Sequence, residues 1–266
     1  MNYIYIALGS MLFYFLRYWI IAGLYHILVY KIFNKQLLKF KINKNVQSSS
    51  DYRREAFWGT LTGVVYAPFL MLIYFLYMHD LTLLYFNIND YGLFYTILSG
   101  VLVFIIQDAY FYWAHYSMHK VKFIQKFSRH YIHHQSNNPS VWSAFSVHPC
   151  ESFMELMFRP LILIVMPLHP YAIAAYLIIS FIFNVIGHSG YELLPSGFTR
   201  FPILKYFSSP THHYIHHVKP QYHFSLYFSW WDKIMGTEDP DFHKKFEDIA
   251  SQNAIKLPVP MKEVIA

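Results

Sequence analysis

The segment from Leu93 to His119 reads LFYTILSGVLVFIIQDAYFYWAHYSMH and decides the fold of the chain. Its apolar part, Leu93 to Trp113, is long enough to cross a bilayer as a helix, which takes about 20 residues. Its end carries His115 and His119, four residues apart and therefore on one helical face. The segment predicts a membrane helix that ends in a metal-binding pair.

The composition of the whole chain agrees with a membrane protein. Of its 266 residues 55% are apolar and only 14% are charged, against about 25% charged in soluble domains. Aromatic residues reach 21%, and Tyr and Trp collect at bilayer interfaces. These values exclude a disordered chain, a coiled-coil rod and most soluble enzymes. The single cysteine, Cys150, excludes an internal disulfide framework and a cysteine-rich zinc module.

The distribution of Lys and Arg predicts the membrane topology. Two further apolar runs, residues 1–30 and Ala56–Met78, flank a loop at 31–55 that holds seven Lys and Arg. The loop 79–92 has none, and Lys and Arg return at 120–129. The positive-inside rule then places 31–55 and the histidine-rich segments in the cytosol and 79–92 outside. The net charge of +6 is thus explained by the Lys and Arg residues of the cytosolic loops, and no nucleic-acid partner is expected.

The last apolar stretch, Phe153 to Gly187, predicts a membrane hairpin. It contains Pro160, Pro167 and Pro170, and proline breaks helices, so two arms are expected to join near Pro167. Arg17 lies inside the first run, where a charge is costly; it either faces the bundle interior or lies on a helix that sits shallowly.

We therefore predict an all-α, multi-pass transmembrane bundle with a cytosolic, histidine-rich helical cap. Residues 1–92 are expected to form the amino-terminal anchoring helices. Residues 93–240, with the hairpin at about 153–187, form the histidine-rich catalytic domain, and residues 241–266 form a cytosolic tail. The three regions are expected to make one structural unit.

Ten histidines fall in four groups with the spacing of metal ligands. Imidazole is the commonest protein metal ligand and suits iron, zinc, copper and nickel. Ten are more than one ion can use, so two ions within about 6 Å are expected. The groups are His115 and His119; His130, His133 and His134; His188; and His212, His213, His216 and His217.

The spacing within the groups suggests how the two ions share them. We expect His130 and His133 on one face, with His134 directed to the second ion, and the second ion mainly among the paired histidines. Asp108 lies on the face of His115, and Glu192 follows His188 at i, i+4. The isolated histidines His26, His79, His169 and His243 are expected to be structural.

The order H-Y-S-M-H, H-Y-I-H-H, H-S-G-Y-E and H-H-Y-I-H-H resembles the fatty acid hydroxylase or sterol desaturase superfamily of integral-membrane, histidine-rich, non-haem iron enzymes. The segments H-P-C-E, starting at His148, and W-D-K-I-M-G-T, starting at Trp231, resemble further family elements. The resemblance spans about residues 105–237. It implies that the ten histidines hold the metal and that four residues ligate or orient ligands: Asp108, His148, Glu192 and Asp232.

The resemblance also implies the reaction. Two iron ions, which zinc can replace, would use O2 to hydroxylate or desaturate a C–H bond of a sterol, fatty-acyl or alkylglycerol lipid. The sequence has no dinucleotide or flavin motif and no cysteine ligands. Electrons are therefore expected from an external NAD(P)H-linked donor, a cytochrome b5-like protein or a ferredoxin with its reductase. The expected location is the bacterial inner membrane or the endoplasmic reticulum, with the active site on the cytosolic side.

Two other classes of protein remain as alternatives. A zinc-dependent membrane hydrolase would also use histidines, because imidazole does not by itself select iron. Its catalytic site usually needs only three protein ligands. A histidine-rich metal transporter would place its ligands near the membrane midplane, often beside acidic residues. Here the histidine groups follow the apolar runs and lie among Lys and Arg.

Overall fold

The computed structural model describes residues 3–258, which are mainly helical and contain no β-strand, only four isolated bridges. This confirms the all-α prediction. Residues 1–2 and 259–266 of the predicted end regions lie outside the described residues, and the division into three regions stays a prediction. The α-helices are α1 (Tyr3–Tyr25), α2 (Asn34–Leu37), α3 (Ser49–Met78), α4 (Gly92–Lys120), α5 (Lys122–Ser128), α6 (Pro149–Leu156), α7 (Phe158–Val165), α8 (Pro170–Gly187), α9 (Pro210–Val218), α10 (Trp230–Met235) and α11 (Phe242–Ala250).

Short helices of other types connect them. A π-helix, His26–Ile32, continues α1. The 3-10 helices are Leu38–Phe40, Ile88–Asp90, His130–Gln135, Val141–Phe145, Phe198–Arg200 and Leu204–Tyr206.

Among residues 3–258, four helical segments are long and apolar enough to cross a membrane, which supports a membrane protein. They are α1 with the π-helix, α3, α4 and α8. The predicted hairpin has one long arm, α8, and one broken arm, α6 and α7, each of eight residues. Pro160 in the first turn of α7 and Pro170 at the start of α8 fix these starts, since proline fits the first turn of a helix but not its interior.

Different segments of the chain form the two ends of the bundle. At one end, Leu83 of the loop after α3 donates its amide to the Leu163 carbonyl (2.8 Å), and Tyr85 donates to the Leu168 carbonyl (3.2 Å). The loop 79–91 therefore meets the turn between α7 and α8. The histidine-bearing ends of α4 and α8 lie at the other end, with the segments 121–152 and 188–250. That this end is cytosolic stays a prediction from the Lys and Arg distribution.

Close approach of α1 to α3 depends on two glycines of α3. The Tyr14 hydroxyl donates to the Gly59 carbonyl (3.1 Å), and the Tyr14 ring lies over Gly63. A Cβ at Gly63 would meet Cδ1 of Tyr14 at 2.5 Å. Tyr14 and Tyr18 are buried in the core that α1 shares with α8. The glycines thus let the tyrosine rings fill the α1–α3 interface.

Gly63→Ala should destabilise the protein, because the added methyl group overlaps the Tyr14 ring in a packed interface. Overpacking of this kind typically costs about 1–3 kcal/mol, and the loss is measured as a lower midpoint of thermal unfolding in detergent. Gly9→Ala on α1 is the matched control, since a Cβ there has nothing within 4 Å. Equal midpoints for the two variants would contradict this account of the interface.

Arg17 faces the interior of the bundle, which decides between the two alternatives left by the sequence. Its guanidinium carbon lies 4.5 Å from the ring centroid of Phe181 on α8 and 5.7 Å from that of Tyr66 on α3. Cation–π contacts of this kind reduce the cost of placing the charge among apolar helices.

Candidate metal centre

Four separate elements bring histidines to one end of the bundle. The end of α4 carries His115 and His119, the 3-10 helix His130–Gln135 follows α5, and His188 caps α8. Arg129 adopts a left-handed conformation (φ 55°) that ends α5 and turns the chain into the 3-10 helix. The helix α9 carries the last group, and it begins with Pro210 after the N-cap Ser209, whose side chain accepts the His212 amide (3.2 Å).

Nine of the ten predicted histidines form two adjacent clusters. Within each cluster, one nitrogen atom from every ring lies within 4.8 Å of the others. Cluster A consists of His115, His119, His130, His134 and His216, and cluster B of His133, His188, His213 and His217. The clusters touch: the ring centroids of His130 and His133 are 5.4 Å apart, and those of His134 and His217 are 5.3 Å apart. Cluster A thus offers five imidazole donors to a metal ion, and cluster B offers four.

The predicted sharing of the histidines between two ions is wrong. The structure groups His130 with His134, not with His133, and the pairs His133–His134 and His216–His217 each give one ring to each cluster. The physical reason lies in the second nitrogen of each ring. Nδ1 of His130 contacts the Glu151 carboxylate at 2.6 Å, whereas Nδ1 of His133 faces the Ser146 carbonyl at 3.3 Å. These different partners turn the two rings toward different clusters.

Most of the rings are held through Nδ1 by an oxygen acceptor. An N–H at Nδ1 donates to that oxygen and leaves Nε2 as a lone pair, which is the arrangement that orients histidine ligands in metal sites. Besides His130 and His133, four rings have such partners: His115 with the Phe224 carbonyl (2.9 Å), His134 with that of His217 (3.4 Å), His188 with that of Asn184 (2.8 Å) and His216 with that of Tyr222 (2.7 Å).

The Nε2 atoms within each cluster then face one another. Those of His115 and His130 are 3.0 Å apart, and those of His213 and His188 are 2.8 Å apart. If Nδ1 carries the proton, such contacts set lone pair against lone pair, and a cation between the nitrogens removes the repulsion. Nε2 of His216 is buried with no hydrogen-bond partner. The donor set therefore fits bound metal ions.

The rings are also in the charge state that a metal requires. Burial is the main cause that lowers the pKa of His134 and of His188 to about 4. Burial and the neighbouring imidazoles hold the pKa values of His133 and His217 well below the usual range. These rings are neutral at pH 7 and can donate a lone pair.

Glu151 is a residue of the site that the sequence reasoning did not select. Its side chain is 1% exposed, and Oε1 lies 2.6 Å from Nδ1 of His130. A carboxylate in this position orients the ring and increases its basicity as a ligand. The signal was present in the sequence, because Glu151 is the last residue of the H-P-C-E segment.

His212 does not join the other nine histidines. It lies with His223 and Asp232 in a separate buried group, with its Nε2 3.3 Å from Oδ2 of Asp232. Nε2 of His223 accepts the Asp239 amide (3.1 Å), so the neutral ring carries its proton on Nδ1 and offers no free lone pair. This hydrogen bonding favours a structural role for the trio.

Asp108 and Asp232 both hold the segment that follows α9. Asp108 accepts the amides of Tyr227 (2.8 Å) and Phe228 (3.2 Å). Asp232 accepts the amide of Phe224 (2.8 Å), whose carbonyl faces His115. Both carboxylates thus act on the backbone around the clusters, and neither belongs to cluster A or B.

The expected helical spacing of His188 and Glu192 is wrong, because α8 ends at Gly187. Glu192 instead accepts the Thr211 amide (3.0 Å) and fixes the start of α9. Burial is the main cause that raises the pKa of Glu192 to about 7. His148 caps α6 by accepting the Cys150 amide (3.2 Å), and its ring packs against Trp58.

Two cavities adjoin the clusters. A small cavity of about 80 Å³ is lined by members of both clusters, including His115 and His133, and by Glu151. A larger cavity of about 300 Å³ is walled almost entirely by apolar side chains and reaches His188 and His213 at one end. The two cavities share these histidines, so an apolar chain in the larger cavity would end beside cluster B.

The chain matches one known protein family and several known proteins. The family model described as fatty acid hydroxylase matches residues 100–237. The chain is 26% identical over 156 residues to the Delta(7)-sterol 5(6)-desaturase ERG3B of Gibberella zeae, covering 59% of this chain and 46% of that protein. It is 27% identical over 163 residues to a Cholesterol 25-hydroxylase-like protein of Caenorhabditis elegans, covering 61% and 51%.

A further relative is human Lathosterol oxidase, 26% identical over 148 residues, covering 55% of this chain and 47% of that protein. The match spans about half the length of these curated relatives. No solved structure is significantly similar to the chain.

Proposed function

The chain belongs to the fatty acid hydroxylase family, and on that basis we propose that it is a membrane-bound, O2-dependent oxidoreductase that uses two iron ions to hydroxylate or desaturate a C–H bond of a lipid. The observation that carries the proposal is the pair of adjacent clusters with facing Nε2 atoms. Two clusters side by side are suited to two ions acting on one substrate.

The proposed ligands are the nine histidines of clusters A and B, with Glu151 orienting His130. Imidazole donors suit iron and also zinc, so zinc can replace iron in such a site. When bound, the iron pair supplies the O2 chemistry that no acid–base side chain performs alone. The protein positions the ligands, holds the Nδ1 protons on fixed oxygens and keeps the site buried.

The larger apolar cavity is the proposed place of the lipid. Its walls come from α8, α9, the segment 194–209 and Leu226, and they include Phe183 and Phe207. Apolar walls bind a lipid chain by the hydrophobic effect and exclude water from the reacting carbon. Of the proposed lipid types, the names of the relatives support a sterol and the family description supports a fatty-acyl lipid, whereas an alkylglycerol lipid rests on the sequence resemblance alone.

Gly187→Phe should reduce turnover, because Gly187 lines this cavity and a Cβ there has nothing within 4 Å. The phenyl ring would fill the lipid path beside His188, and kcat/KM is expected to fall by about tenfold or more, with bound metal unchanged. Ile178→Phe is the matched control, since Ile178 is 61% exposed on the same helix. Equal kcat/KM for both variants and the wild type would contradict this lipid path.

We further propose that the site lies on the cytosolic side and takes electrons from an external NAD(P)H-linked donor. The support is the basic segment after α4, with Lys120, Lys122, Lys126 and Arg129 close to the histidines in sequence. A cytochrome b5-like protein or a ferredoxin with its reductase fits this requirement.

The two alternative functions have less support. The histidine clusters lie at the ends of α4 and α8, not at the middle of the spans where transporters bind their ions. Nine imidazoles in two adjacent clusters exceed the three protein ligands of a catalytic zinc site. Lipid turnover without consumption of O2 would establish the hydrolase instead.

The proposal is tested by lipid mass spectrometry of cells with and without the gene, grown under ordinary and heavy oxygen. One heavy oxygen atom in a gene-dependent lipid means hydroxylation. Loss of two hydrogens without label means desaturation. Gene-dependent lipids that show neither change would overturn the proposal.

A further inference from the structure

A third cavity, of about 260 Å³, lies inside the membrane bundle and shares Tyr66 and Arg159 with the small cavity that the clusters line. It lies among α1, α3, α4, α7 and α8, and its walls are mostly aliphatic and aromatic. Two arginines, Arg17 and Arg159, also line it. Charged residues within membrane bundles are costly and commonly mark a functional site.

The two guanidiniums meet at Tyr66. Nη2 of Arg159 donates to the Tyr66 hydroxyl (2.8 Å), and Arg17 lies over the same ring. Nε of Arg17 is buried and has no hydrogen-bond partner. The Tyr176 hydroxyl lies beside Arg159. One end of an apolar cavity therefore collects donors with unused capacity.

The charges at this end are not balanced. Within residues 3–258 neither guanidinium has a carboxylate within salt-bridge distance. Glu155 is the carboxylate that the charge of Arg159 affects, whereas Glu151 is engaged with His130. The two half-buried guanidiniums at this end of the cavity thus lack an ion-pair partner among the described residues, and an unpaired charge inside a membrane bundle is costly.

We propose that this cavity binds a single-chain amphiphile through its ionised carboxylate, held by Arg17 and Arg159. Arginine forms a planar fork of donors that matches a carboxylate, and the apolar walls accept the chain. Phe13, which is 66% exposed, and Leu70, which is 44% exposed, line the cavity and also face outward, so the cavity reaches the lipid-facing surface. This site does not depend on the proposed oxidation, because binding requires no turnover.

The test compares decanoate with decanol on the full chain in a nonionic detergent at pH 8.5, with native mass spectrometry counting bound ligand. One decanoate per chain is expected, bound about tenfold more tightly than decanol. Arg17→Gln should remove this preference, and Arg17→Lys should keep part of it because the charge remains. Arg53→Gln, at an exposed position on α3, should leave it unchanged.

Equal binding of decanoate and decanol by the wild type would overturn the proposal, and that comparison decides even if Arg17→Gln fails to fold. A preference that persists in both Arg17→Gln and Arg159→Gln, or that is lost in Arg53→Gln, would also overturn it. Lipid oxidation in the labelling experiment is scored separately, so either proposal can fail alone.

Discussion

His134→Ala and His217→Ala should each abolish lipid oxidation and lower the bound metal from two ions per chain toward one. Each variant removes one imidazole from a different cluster, A for His134 and B for His217. Cluster B keeps only three histidines after the loss of His217, too few to close a buried four-ligand site. The proposed reaction uses both ions, so the two single variants should be equally inactive.

The measurement is turnover together with metal analysis of protein purified without chelators and matched for expression. His79→Ala and His243→Ala are the controls, since neither belongs to a cluster. The His79 ring bonds the Phe75 carbonyl at the opposite end of the bundle. Full activity in His134→Ala and His217→Ala would refute the metal centre, as would a wild type that holds one ion or none.

Glu151→Gln should weaken metal binding or activity by about 10- to 100-fold, the usual cost of losing a group that orients a histidine ligand. The amide keeps the size of the side chain but loses the charge that polarises the His130 ring. The fold should survive, because the variant is nearly isosteric. Competition with a chelator measures the affinity.

Glu192→Gln is the informative comparison, because both glutamates are buried but only Glu151 contacts a cluster histidine. Glu192 holds the start of α9. Glu192→Gln should therefore lower the midpoint of thermal unfolding, and it should reduce the metal affinity less than Glu151→Gln does. If Glu192→Gln lost as much metal affinity as Glu151→Gln, the assignment of the two carboxylates would be wrong.

The fold was predictable because its signals are local. Apolar runs of sufficient length became α1, α3, α4 and α8, and prolines mark the starts of α7 and α8. The break between α6 and α7 at Met157 was not predicted, although Pro160 in the first turn of α7 carries the signal for it. The direction of Arg17 was also open, because it depends on Phe181 and Tyr66, which are distant in sequence.

The site was predictable in its residues but not in their arrangement. Histidine spacing selected all nine members of clusters A and B. The sharing of rings depends on partners such as Ser146 and Glu151, which only the tertiary fold brings to His133 and His130. For the same reason His212, selected by spacing, packs instead with His223.

In the pairs His133–His134 and His216–His217 the two histidines belong to different clusters, which restricts how the sequence of this protein can evolve. Neighbouring residues belong to different clusters. One residue inserted or deleted just before a pair would therefore direct each histidine ring toward the other cluster. The side chains around the pairs can be substituted, whereas the lengths of the two segments that carry the pairs must stay constant. Insertions should therefore be tolerated in loops such as 79–91, at the far end of the bundle, and be eliminated between His130 and His134.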